Sequence, residues 1–204
     1  MIKALLLIFY TVPTWDRIVE SRRNIGFILG VYLLPLLLLS SAGEVYGLMY
    51  WGKSRSEYGG LVQLSQNAAA YYAVIKITLC LASVFVIAKI IQSIAVSFRG
   101  RQTYVQAFTC TAYGISPLLA LHLLNGLPNM PAWVTWAMGI ALCATVLYQG
   151  MPRVLDPDPT HTLGLYFMSV LMLLMTTALV QFLTGLVLEQ QIQAAITPHA
   201  ALMR

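Results

Sequence analysis

The sequence predicts an all-α, polytopic transmembrane helix bundle of about five spans, on three observations. Only 9% of its residues are charged, against about 25% in soluble domains, too few to cover a water-facing surface. Apolar residues make up 59% of the chain and its mean hydropathy is +0.76, so hydrocarbon is the solvent that suits it. The long apolar runs do not alternate with polar residues as the roughly ten-residue strands of a membrane barrel do. In lipid each backbone N–H and C=O must pair within the protein, and helices are what remains.

Residues 1–24 read as an interfacial, cytoplasmic segment. The apolar stretch 1–10 is too short to cross a core of about 30 Å at about 1.5 Å per residue. No small-x-small cleavage site follows it at Val12-Pro-Thr-Trp15, as a signal peptide would require. Asp16, Arg17, Glu20, Arg22 and Arg23 supply a wet face beside Trp15 and Ile18. The membrane domain follows over 25–188, with spans expected at 25–43, 73–96, 105–127, 132–149 and 163–188. Segment 44–72, carrying Glu44, Lys53, Arg55 and Glu57, is expected to leave the membrane with one short interfacial helix. Residues 98–102 form a tight basic turn, and the uncharged turn 126–131 makes spans three and four an antiparallel hairpin. Three prolines stiffen 150–159, and 189–204 is a mildly polar tail.

Orientation follows from the basic residues. Seven (Lys3, Arg17, Arg22, Arg23, Arg99, Arg101, Arg153) fall on the side of the N-terminus and three (Lys53, Arg55, Arg204) on the other. That bias predicts a cytoplasmic N-terminus and an external C-terminus. Trp133 and Trp136 then stand at the outer end of span four and Tyr148 at its inner end, the placement interfacial aromatics favour.

Few residues in the spans can carry chemistry. Lys76 and Lys89 bracket twelve uncharged residues, about 18 Å of helix, so each ammonium is expected to snorkel to its own interface; transport is the sharper reading of such charges. His122 and Asn125, three apart, suit interhelical hydrogen bonding, with proton relay as the alternative. Asp156, Asp158 and His161 fit a rigid turn capping span five better than a metal site, and no metal or cofactor is expected. Gly26 and Gly30 match the small-xxx-small pattern, and Thr177, Gln181 and Thr184 form a stripe on span five. Both read as packing within this chain, or as contacts with a partner subunit. Cys80, Cys110 and Cys143 stand singly and read as small hydrophobes. Ser116 has no base in sequence reach, and G-x-S-x-G, H-E-x-x-H and phosphate-loop patterns are missing, so catalysis is not expected. The scattered basic residues form no nucleic-acid stripe. Pro117 removes the hydrogen bond to the Tyr113 carbonyl, which predicts a bent third span. Its Tyr113 face should point inward and its His122 face toward lipid, solvent or a partner.

Three stretches together resemble the Yip family, the Rab-interacting five-span membrane proteins of the secretory pathway and their bacterial relatives. Pro13-Thr-Trp-Asp-Arg-Ile18 resembles the family's pre-membrane motif. Phe98-Arg-Gly100 through Gln106-Ala107 and Ala112-Tyr113-Gly-Ile-Ser116-Pro117 is similar to its F-G-G turn and the alanine-tyrosine span that follows, with Arg99 where glycine is usual. Leu147-Tyr148-Gln-Gly150-Met-Pro152 is similar to its Y-x-G-x-P ending of span four. The short N-terminal region resembles the bacterial branch, which implies the bacterial cytoplasmic (inner) membrane. The expectation is a non-enzymatic protein that binds partners or organises membrane, an accessory subunit of a larger assembly. Its partners would be the lipid bilayer and other membrane subunits. The alternative is a small-solute or ion transporter.

Overall fold

The computed structural model describes residues 10–21, 23–54, 61–97, 103–127, 130–157 and 160–201. A short helix α1 (Thr11–Glu20) precedes five helices long and apolar enough to cross a membrane. These are α2 (Ile25–Tyr50), α3 (Gln66–Ser97), α4 (Tyr104–Gly126), α5 (Ala132–Leu155) and α6 (Thr162–Ala201). The expected spans are all present, and four are longer than hydropathy indicated; α5 runs through Pro152 to Leu155, into the stretch expected to be a proline-stiffened connection. α2 continues through Glu44 to Tyr50, α3 starts at the polar Gln66, and α6 takes in the expected tail as far as Ala201. The segment between α2 and α3 carries a two-residue antiparallel pairing, Lys53 with Val62 and Ser54 with Leu61, where an interfacial helix was expected. Residues 55–60 of that segment, the basic turn at 98–102, Lys3, Arg22, Asp158 and Arg204 lie outside the described residues.

α2 opens on the Asn24 cap, whose Oδ1 accepts from Phe27 N at 3.1 Å. It widens to a π-helical stretch over Ile28–Leu33 just before Pro35, where the missing proline N–H and the bulky ring disturb ordinary α bonding. α4 is the central helix: 72% of its apolar window is buried, against 17–44% for the others. It packs on α2, α3 and α5, while α6 lies along α3 and α5. Its start is fixed by a capping box, with Thr103 Oγ1 accepting from Gln106 N and Gln106 Oε1 accepting from Thr103 N at 2.8 Å.

Pro117 breaks α4 at Ile115, as expected. The Tyr113 carbonyl that proline cannot serve accepts instead from Ser116 Oγ at 2.6 Å, so that acceptor is not stranded in the membrane. Tyr113 faces inward and is buried. His122 also faces inward, against expectation. A helix surrounded on several sides has little lipid face to offer, and past Leu121 the chain tightens to a 3₁₀ turn over His122–Gly126, which shifts the angular position of each residue.

The three stretches that carry the family resemblance meet at one point. Trp15, fully buried on α1, donates its indole N–H to the Val146 carbonyl at 3.1 Å. Its ring lies on Gly150, where any Cβ would strike the indole. Tyr113 meets Trp15 edge-on at 6.3 Å and stacks on Tyr32 at 4.4 Å, and Leu147 fills the space over Gly114. The apolar face of α1 is thus pinned into the bundle, while Asp16 stays at the surface and accepts from Arg153 Nε at 3.1 Å.

Candidate functional site

α2 and the end of α4 touch backbone to backbone. A Cβ at Gly47 would collide with the Gly126 main chain, and one at Gly126 with the Gly43 carbonyl. This Gly43-x-x-x-Gly47 seam, unnoticed in the sequence, is a small-xxx-small contact within the chain. Gly26 and Gly30 are not. Both are exposed, with nothing near the position of an added Cβ, so they do not pack helices of this chain together.

Glu44 stands inside the Gly43–Gly47 seam, and its side chain enters the bundle at 4% exposure. Tyr72 and Lys76, one turn apart on α3, meet it there. Lys76 Nζ donates to Glu44 Oε2, and the Tyr72 hydroxyl donates to Oε1 at 2.9 Å. Lys76 is 3% exposed and therefore does not snorkel, contrary to expectation. It has a carboxylate partner across the helix interface, and pairing replaces the water that snorkelling would have sought. Glu44 was the missed half of the pair. It sits just beyond the apolar run, where a charge ends a hydropathy span before the helix itself ends. Lys89 is exposed on the outer face of α3 and donates to Gln92 Oε1 at 3.1 Å.

Around the pair the structure gathers candidates scattered along the sequence. A cavity of about 20 Å³ is bordered by Lys76 on α3, His122 on α4, Trp136 on α5, and Thr177, Gln181 and Thr184 on α6. The span-five stripe therefore turns inward. Thr177 donates to the Leu173 carbonyl at 2.8 Å and its oxygen accepts from Trp136 Nε1 at 3.3 Å. Asn125, one turn beyond His122, hydrogen-bonds the Thr135 hydroxyl through Oδ1.

Other candidates take structural places. Ser116 is committed to the Tyr113 carbonyl. Asp156 ends α5 in the left-handed conformation, φ 39°, and does not cap α6 as expected. Cys80, Cys110 and Cys143 are buried and unpaired by disulfides.

Five apolar helices, a pinned amphipathic helix and a neutralised charge pair define a polytopic α-helical membrane protein. The Yip1 domain model matches residues 5–181, and the chain belongs to the Yip family. No curated protein and no solved structure matches it.

Proposed function

We propose that this protein is a non-enzymatic component of the bacterial cytoplasmic membrane that acts by binding another membrane protein as an accessory subunit. The observation that carries this reading is the open Gly26–Gly30 face of α2. Small residues at this spacing let a second helix approach closely, which drives association where lipid supplies no hydrophobic force. Within the chain the same spacing at Gly43 and Gly47 is filled by α4, whereas Gly26 and Gly30 are left for a helix from outside. Val31, 60% exposed beside Gly30, extends that face. The packed interior supports binding over solute transport, because the cavity beside the charge pair has room for about one water.

A photo-crosslinker at Val31, used in native membranes, tests the reading. It should give a discrete protein adduct, and Gly26→Ile with Gly30→Ile should reduce that adduct by about tenfold or more. The substitutions meet open space, so the folded yield should not change. Lipid adducts alone, or a protein adduct indifferent to both substitutions, would refute partner binding at this face.

A further inference from the structure

Neither ring nitrogen of His122 has a hydrogen-bond partner among the described residues, although the side chain is 95% removed from solvent, at 5% exposure. A neutral imidazole carries one donor and one acceptor, and buried polar atoms are with few exceptions paired with protein or with ordered water. His122 borders the cavity of about 20 Å³, enough for one water molecule. Much of the wall is apolar, with Ile115, Leu118, Leu119 and Val180, and a few polar groups are set into it. Lys76 Nζ gives one proton to Glu44 and has two more to offer. Ser83 donates to the Cys80 carbonyl at 2.7 Å, and Thr184, which also meets Tyr72, donates to the Val180 carbonyl at 2.9 Å; a hydroxyl oxygen that donates once can still accept. The Gln181 amide adds a further polar group to the wall.

We infer that this cavity is a binding site for a single water molecule, which joins His122 on α4 to Lys76 on α3 and to the Thr184–Gln181 stripe on α6. The water accepts from the ammonium or the imidazole N–H and donates to the ring nitrogen or a hydroxyl oxygen. Charge and size select this occupant: the ammonium repels a metal cation, and a volume of about 20 Å³ excludes a solute or a lipid chain. Bound there, the water completes the solvation of Lys76 on the side away from Glu44, so the pair stays ionised inside the membrane. It also fastens α6 to the bundle through hydrogen bonds.

The full-length protein, labelled with ¹⁵N-histidine and placed in lipid bilayers, can be examined by solid-state NMR with polarisation transfer from water protons. His122 is assigned by the signals lost in His122→Gln, or by sequential assignment of the unaltered protein if that variant does not fold. We expect water transfer to the His122 ring, with both nitrogens hydrogen-bonded. Thr184→Val combined with Gln181→Leu should cut that transfer severalfold. His161, at the surface end of α6, serves as the wet control. A His122 ring that receives no transfer while His161 does would overturn the inference, as would transfer unchanged in the double variant.

Discussion

Lys76 and Lys89 lie on one helix and are chemically alike, yet they belong to different environments. Sequence spacing assigned both to the interface. Lys89 is indeed at the surface, whereas Lys76 is buried against Glu44 and Tyr72. What decides between the two is a residue thirty-two positions away in the sequence, which no periodicity within α3 can reveal. A usable signal did exist. Spans one and two are antiparallel, so Glu44, near the end of one, and Lys76, near the start of the next, fall at similar depth with opposite charge. The pair implies unequal mutational effects. Lys76→Met leaves a buried carboxylate uncompensated and should destabilise the protein by about 3–5 kcal/mol. Glu44→Gln combined with Lys76→Met should recover much of that loss, because the two desolvated charges vanish together. Lys89→Met should stay within about 0.5 kcal/mol. Unfolding in a bilayer-mimetic detergent, run as a double-mutant cycle, measures all three; equal effects of the two single lysine substitutions would contradict the buried pair.

At the scale of elements, the number and order of spans were legible because twenty apolar residues have few other fates. The break in α4 was legible too, since Pro117 withholds a hydrogen bond wherever it sits. Its repair was not, because serine before proline has many uses and only the fold shows Ser116 bonded to the Tyr113 carbonyl. The two devices should be coupled. Ser116→Ala alone leaves a buried carbonyl unpaired and should cost about 1–3 kcal/mol. In Ser116→Ala with Pro117→Ala the restored N–H at position 117 can serve that carbonyl, and the serine's contribution should shrink toward zero. An additive cycle would show that the serine bond does not stabilise the break. Helix contacts teach the complementary lesson. Gly26/Gly30 and Gly43/Gly47 share one spacing, but only the second pair meets another backbone. Gly47→Ala, whose Cβ would strike the unyielding Gly126 main chain, should destabilise the bundle by about 1–3 kcal/mol. Gly26→Ala should leave unfolding in detergent unchanged apart from helix propensity, which favours alanine.

The whole molecule has two chemically distinct ends, which predict an orientation. At one end α1 is pinned by Trp15, and Arg17, Arg23 and Arg153 gather near the starts of α2 and α4 and the end of α5. At the other, exposed Tyr46, Tyr50, Trp51, Tyr71 and Trp133 mark the end of α2 and the starts of α3 and α5, the belt expected where helices leave hydrocarbon. The sequence adds Lys3, Arg22, Arg99 and Arg101 to the first end and leaves Lys53, Arg55 and Arg204 on the second. Short basic loops resist translocation, so the α1 end should be cytoplasmic. Five spans then carry the C-terminus across. The Glu44–Lys76 pair, six residues before the end of α2 at Tyr50, lies about 9 Å from that end, which in this orientation would be the outer half of the membrane. Reporter fusions after residues 99 and 153 should therefore report cytoplasm, and fusions near Lys53 and after Arg204 should report the opposite side. The fusion at 204 is the decisive one, because it depends on both the sign of the first span and the odd number of crossings. Cytoplasmic activity there, with the 153 fusion also cytoplasmic, would mean that α6 does not cross, and the contact of its Thr177–Thr184 face with the buried pair could not form within the bilayer.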